Sequence, residues 1–304
     1  MEQISRRIGP ETQGHRLDHF LVTLDARVSR ADVQRQIRDG RVSVGGVPVL
    51  RPSRHLRLGE QVCWEQRVSQ TLSPAPLPLV IVYEDDEVLA VNKPAGLVVH
   101  PGAGTVGKTT LVEGLLATRA LPASDDPARP GIVHRIDKET TGILVVAKTP
   151  RALASLKHQF ADRVVEKLYV AIVKGSFSES EGCIDAPVGR DPRAPRRMAV
   201  RLDGRAAETE FRVLQRQTGR SLVLVRPRTG RTHQIRVHFT YIGHPVVGDA
   251  LYGGPPNENM LLHAWKLTIL HPATGAPLTF VAPLPATFPQ DTYGVDLFSE
   301  RAAT

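Results

Sequence analysis

The sequence predicts an α+β protein, a larger domain of mixed strands and helices preceded by a small α/β domain. Three observations carry that expectation. Short apolar runs rich in valine, isoleucine and leucine recur through the second half of the chain, with a helical pattern among them. A separate helix-and-hairpin pattern occupies residues 14–67. Between the two lies SQTLSPAPLPL, whose prolines and small residues mark a linker. The expected division is 14–67 for the small domain, 68–77 for the linker, 78–290 for the large domain and 291–304 for a tail.

In the small domain, SRADVQRQIRDG reads as a helix with Ser29 as N-cap, Val33 and Ile37 four apart on one face, and Gly40 as terminator. RVSVGGVPV then alternates Val42, Val44, Val47 and Val49 around Gly45-Gly46, a hairpin signal. In the large domain, LVIVYEDDEVLAVNKP reads as two strands around an acidic turn, and GILVVAK as a buried strand. TPRALASLKHQFADR follows as a helix, with Thr149 as N-cap, Pro150 at the first helical position, and Leu153, Leu156 and Phe160 on one face. Further strands are expected at LYVAIVKG, TEFRVLQRQ and SLVLVRPR. Beyond Ala282 the proline-rich C-terminus is expected to run along the surface. No internal repeat is present.

The chain has 304 residues, 41% hydrophobic and 23% charged, the composition of a globular protein. Its formal net charge of +8 points to a polyanionic partner, most commonly nucleic acid. Cys63 and Cys183 lie far apart and outside any C-x-x-C pattern, which argues against a disulfide framework or zinc site and suits buried thiols in a reducing cytosol. The N-terminus lacks the apolar core of a signal peptide, and no apolar run has the length of a membrane span, so a cytoplasmic protein is expected.

Several residues invite a functional reading. Arg30, Arg35, Arg38 and Arg41 fall on or just beyond one short helix, where guanidinium groups could lie across a phosphate backbone or simply form a solvated face. GAGTVGKT, from Gly102 to Thr109, satisfies the phosphate-loop pattern, with Lys108 and Thr109 as its ligands. The strand before it would be only LVV, His100-Pro101 intervenes, and no downstream strand ends in a magnesium-binding aspartate, so a chance match is the better reading. Asp137 stands in the polar turn HRIDKETTG before the strand GILVVAK. By residue type alone it could be a turn former, Tyr169 could be core packing, and Arg236 could be a solvent-facing arginine in an alternating strand.

Five blocks in order change those alternatives: VYEDDEVLAVNKPAGLVVHPGAG, GIVHRIDKETTGILVVAK, VVEKLYVAIVKG, TGRTHQIRVHFTYIGHPVVGDALYGG and LLHAWKLTILHPATG. The stretch from Val82 to about Pro285 resembles the RluA-type family of pseudouridine synthases, and within it the RluD-like members. The run RLDHFLVTLDARVSRADVQRQIRDGRVSVGG resembles the small S-four-type RNA-binding domain.

The resemblance implies a mixed, largely antiparallel sheet in the catalytic domain and an enzyme that isomerises uridine in RNA, most suitably in large-subunit ribosomal RNA, with a transfer RNA target as runner-up. Such chemistry breaks the bond from ribose to ring nitrogen, turns the base and rejoins it through carbon, without redox change, metal or cofactor. It implies Asp137 as the catalytic carboxylate, Arg236 as its pairing cation with Arg231 the weaker choice, Tyr169 against the uracil, and Arg135 filling the gap left by a flipped base. His134 and Lys138 beside Asp137 are expected to meet substrate. Arg30, Arg38 and Arg41 are expected to meet RNA, as is Arg231. A second H-R-x-D run, His15 to Asp18, lacks the strand that follows Asp137, and Asp18 is assigned a structural role such as helix capping. No membrane and no nucleotide cofactor is expected, and a monomer is the default. The competing classes are a non-catalytic RNA-binding assembly factor and a phosphate-loop nucleotidase.

Overall fold

A computed structural model describes residues 2–25, 28, 30–66, 72–101, 108–194, 196–292, 295 and 297. They fall into two compact units, one formed by residues up to Ser73 together with Ala123–Pro130, the other by most of the chain from Pro74 onward.

In the first unit the elements are β1 (Glu2–Arg7), α1 (Leu17–Leu24), α2 (Arg30–Arg38), β2 (Val42–Val44), β3 (Val47–Pro48) and β4 (Gln61–Gln66). The sheet order is β1-β4-β2-β3. Leu17, Phe20 and Leu21 of α1 pack with Val33 and Ile37 of α2 against Val42, Val62 and Trp64. Gly45 and Gly46, at φ 60° and 80°, make the two-residue turn between β2 and β3, a conformation that would strain residues bearing a Cβ. The unit starts earlier than Gly14, because β1 pairs with β4 over its full length. The expected cap at Ser29 lies outside the described residues.

Asp18 is wholly buried in the first turn of α1, where its Oδ1 accepts from the backbone N–H of His19 at 3.1 Å. Its carboxylate also accepts from Arg16 (3.0 Å), Arg30 (3.0 Å) and Gln34 (2.7 Å), so it ties α1 to α2. These donors hold it well below the usual carboxylate range against the opposing effect of burial. Arg30 is thereby engaged within the protein, although half of its side chain stays exposed. Arg38 is exposed.

The second unit contains β5 (Val80–Glu84), β6 (Val88–Lys93), α3 (Leu111–Leu116), β7 (Thr141–Ala147), α4 (Pro150–Ala161), β8 (Glu166–Lys174), β9 (Glu181–Asp185), β10 (Val188–Arg190), β11 (Met198–Val200), β12 (Glu208–Gln217), β13 (Arg220–Pro227), α5 (Gln234–Tyr241), β14 (Leu262–Leu270) and β15 (Pro277–Val281). Its large sheet runs β5-β6-β7-β14-β8-β13-β12-β9, with β15 also on β14. Among the described pairs of this sheet, β7 with β14 is parallel and the rest are antiparallel.

The continuous apolar runs are strands buried on both faces. In β8, Val170 and Ile172 join one core with Leu222, Leu224 and Trp265, while Ala171 and Val173 join another with Val223, Phe239 and Val246. Helix α4 starts at Thr149, whose hydroxyl accepts from Ala152 N at 3.0 Å, and buries Leu153 and Leu156 over β6 and β7.

Three expectations need correction. Phe288 and Leu297 are buried in the core with Leu168 and Trp265, so the segment after Ala282 is anchored in the core and does not merely follow the surface. Cys183 is exposed and Cys63 only half-buried; short strands β9 and β4 carry them at partly open positions. Within TGRTHQIRVH, the run from Gln234 opens α5 where alternation suggests a strand, because Ile235 and Phe239, four apart, both enter the core. Within the linker region, Ala75 N donates to Glu113 O of α3, at 3.2 Å. Among the described residues no helix is long and apolar enough to cross a membrane.

Candidate active site

The turn carrying Asp137 lies between the isolated bridge of Ile132 with Val146 and the start of β7. Lys93, at the end of β6, holds this turn from below. Its side chain is 0% exposed, and its ammonium donates to the carbonyls of Pro94 (2.7 Å), Leu97 (2.9 Å) and Lys138 (2.9 Å). Burial pushes it down to about 7, opposed by the charges of Glu139 and Asp137. The far side of the turn is fixed by Gly142. Its φ is 109°, and a Cβ there would come 2.2 Å from Ala264 O on the neighbouring strand. Only glycine lets β7 approach β14 this closely. Thr141 adds a hydroxyl contact to His263 Nδ1 at 2.7 Å.

So held, Asp137 opens onto a cavity of about 520 Å³. Its side chain is 17% exposed, and Arg236 Nη1 donates to its Oδ2 at 3.0 Å. Arg236 itself is 7% exposed. Its other edge meets Asp249, Nε to Oδ2 at 2.7 Å and Nη2 to Oδ1 at 2.9 Å. Asp249 is 1% exposed and also accepts from the backbone N–H groups of Leu251 and Tyr252. Burial disfavours the guanidinium, but Asp249 and Asp137 outweigh it and hold Arg236 well above its ordinary value.

The ring of Tyr252 lies 5.0 Å from the Arg236 guanidinium carbon. Its hydroxyl accepts from Met198 N at 2.8 Å and lies 2.9 Å from His233 Nδ1. His233 Nε2 is 4.0 Å from Asp137 Oδ2. Burial lowers His233 below the usual imidazole range despite the attraction of Asp137, which leaves it neutral at pH 7. Tyr169, on β8 opposite Ala264, lines the same cavity, and burial followed by the charge of Asp137 raises its phenol. It therefore presents a neutral aromatic ring.

The other expected site residues divide. Arg135 is exposed and lines the cavity. Arg231 also lines it, but its Nε donates to Ala206 O at 3.0 Å; Arg236 is the arginine that meets Asp137. His134 also lines the cavity. Its Nε2 accepts from Val145 N at 2.9 Å, and its ring stacks on Phe160 with centroids 4.5 Å apart. Burial pushes it down to about 3, so it stands as a neutral strut between β7 and α4. Lys138 points outward beside Glu139 at 3.0 Å, while its carbonyl anchors Lys93. Of the phosphate-loop-like segment, residues 102–107 lie outside the described residues, Lys108 is exposed, and Thr110 caps α3. Asp249 stands in VVGDALYGG, where an acid among apolar residues and glycines signals a buried turn but not the arginine it meets. Lys93 in NKPAG likewise carries no local sign of the three carbonyls it joins.

A carboxylate paired with a buried arginine thus stands in a basic cleft of the mixed sheet, with Tyr169 on the same wall. A family model for RNA pseudouridylate synthase matches residues 87–241, and the S4 domain model matches 15–62. The RNA pseudouridine synthase YlyB of Bacillus subtilis is 43% identical over 291 residues, covering 94% of this chain and 95% of that protein. Ribosomal large subunit pseudouridine synthase D of Pseudomonas aeruginosa is 41% identical over 306 residues, 95% of this chain and 94% of the relative. The solved structure of human RNA pseudouridylate synthase domain containing 1 is similar with a TM-score of 0.56 at 31% identity, over 68% of this chain and 83% of the other. This chain belongs to the RNA pseudouridylate synthase family, of the RluA type and RluD-like, with an S4 domain at its N-terminus; it is an isomerase acting on RNA.

Proposed function

We propose that the chain converts a uridine of large-subunit ribosomal RNA to pseudouridine, with Asp137 as the catalytic carboxylate. The observation that carries this reading is the pairing of Asp137 with the buried Arg236 at the wall of a cavity large enough for an extruded base. The pair keeps the carboxylate oriented toward the ribose, where it acts on the sugar of the bound nucleotide. Tyr169 supplies the face on which the detached uracil turns, and Arg135, free at the cavity mouth, enters the RNA stack in its place. Arg38 and Arg41 of the small unit contact backbone phosphates. The ribosomal target is supported by the synthase D relatives, at about 40% identity over most of the chain.

The test is release of tritium from large-subunit ribosomal RNA labelled at carbon 5 of uridine. Wild type is expected to release it, and Asp137→Asn to release none while retaining its fold and RNA affinity. An active Asp137→Asn protein would remove Asp137 from the reaction. Mapping pseudouridine in RNA from cells with and without the gene identifies the position.

A further inference from the structure

The wall of the Asp137 cavity carries far more positive charge than one carboxylate requires. Seven of its lining side chains are lysine or arginine, against a single carboxylate. Three of the seven are accounted for within the protein. Arg236 is held by Asp137 and Asp249, Arg228 meets Glu210 at 2.7 Å, and Lys167 points to Thr229 O at 3.4 Å. Arg135 is already the residue read as entering the stack. That leaves Arg163, Arg205 and Arg231, none with an acidic partner within 4 Å among the described residues.

Each of these is presented from a different element. Arg163 follows α4 and adopts φ 60°, a left-handed conformation that a non-glycine residue rarely takes without compensation. Arg205 stands in the segment between β11 and β12 and is exposed. Arg231 is held by Nε to Ala206 O, and its backbone N–H donates to Gln234 Oε1 at 3.0 Å. Its remaining guanidinium nitrogens are left without an acceptor among the described residues. The three lie close enough for Arg205 and Arg163 to depress Arg231, after burial, below its ordinary value. Three guanidinium groups gathered without an anion repel one another, and an anion brought from outside relieves that repulsion.

We propose that Arg163, Arg205 and Arg231 form a phosphodiester-binding subsite on the lip of the cavity, holding the backbone of the RNA strand beside the extruded uridine. It rests on the reading of the cavity as the uridine site. Guanidinium groups suit phosphate oxygens through paired N–H donors, and a nucleotide turned out of its helix exposes the phosphates on either side of it. The three residues act on affinity and register; the chemistry stays with Asp137.

The experiment compares wild type with the Arg163→Gln, Arg205→Gln double variant, and with Arg163→Lys, Arg205→Lys. Tritium release is followed on a transcript of large-subunit ribosomal RNA over a series of salt concentrations. Loss of two phosphate contacts raises KM by about tenfold or more with kcat unchanged. The slope of log kcat/KM against log salt becomes shallower by about 1.4 for a single-stranded contact. The lysine pair retains the charge and restores the slope. Unchanged KM and slope in the glutamine variant overturn the proposal, and so does a fall in kcat alone, which would place the arginines at the uracil. If wild type releases no tritium from this transcript, the reading of the substrate fails. Filter binding of the same transcript then decides the subsite by the same change in salt slope, and an unchanged slope rejects it.

Discussion

Arg236 serves two carboxylates with two edges of one planar group. The edge facing Asp249 is doubly bonded and buried, and the remaining nitrogen is thereby aimed at Asp137. Asp249 is thus a positioning residue, acting on the reaction only through Arg236. Replacing it by asparagine keeps its volume but turns one acceptor into a donor that faces the guanidinium. Asp249→Asn is expected to lower kcat by about 30-fold or more, corresponding to roughly 2 kcal/mol, with KM little changed. Asp249→Ala leaves Arg236 buried with its inner edge unpaired, and is expected to lower stability by about 3–5 kcal/mol. Steady-state tritium release and denaturant unfolding check the two outcomes. Wild-type kcat in Asp249→Asn would show that Arg236 needs no such support.

At the scale of elements, the Asp137 turn is held between strands by neutral histidines. His134 accepts from Val145 N of β7, and His263 on β14 lies between the Thr141 hydroxyl and Ala282 O. Burial pushes His134 down to about 3 and His263 down to about 4. The unfolded chain takes up these protons near pH 6.5, whereas the folded chain does so only near 3 and 4. Between those limits the unfolded state binds more protons, so stability falls as pH falls from 6.5 toward 4. Each histidine contributes about 1.4 kcal/mol per pH unit across this window. His134→Phe keeps a ring against Phe160, and is expected to reduce the pH slope of unfolding free energy by that amount between pH 6 and 4. An unchanged slope would mean that His134 titrates normally in the fold. The same elements show what the sequence could and could not disclose. Val42 to Val49 announced their hairpin, and the run from Gly142 to Ala147 its buried strand, because period and turn chemistry are local. Asp137, Tyr169 and Arg236 were legible together only through the resemblance of ordered blocks. Asp249, Lys93 and the internal use of His134 were not legible. Each depends on a partner distant in the chain or on a backbone carbonyl, which residue type does not reveal. Helix α5 is hidden for a related reason: QIRVH alternates as a strand does, and its helical burial depends on a core formed by other strands.

For the whole molecule, charge and core are divided differently between the two units. Residues before Pro74 hold twelve arginines, no lysine and eight acidic side chains, so half of the net charge of +8 comes from a quarter of the chain. Part of that arginine content is internal, since Arg16 and Arg30 neutralise the buried Asp18. Arg38 and Arg41 lie outside that cluster. The unit from Pro74 onward has its own cores, built on β6, β7, β8, β13 and β14, and its cavity is lined only by residues from Val133 to Leu262. A chain beginning at Pro74 is therefore expected to keep the Asp137–Arg236 site while losing RNA affinity. If the small unit contributes two or three phosphate contacts, its removal makes the slope of log affinity against log salt shallower by about 1.4 to 2.7. Because no residue before Pro74 lines the cavity, kcat on saturating RNA should change far less than KM. Salt-dependent filter binding and tritium release on the shortened chain measure the two quantities separately. A shortened protein with wild-type KM and salt slope would assign the arginines of the first unit to folding alone. The RNA would then be held entirely at the cavity and its rim.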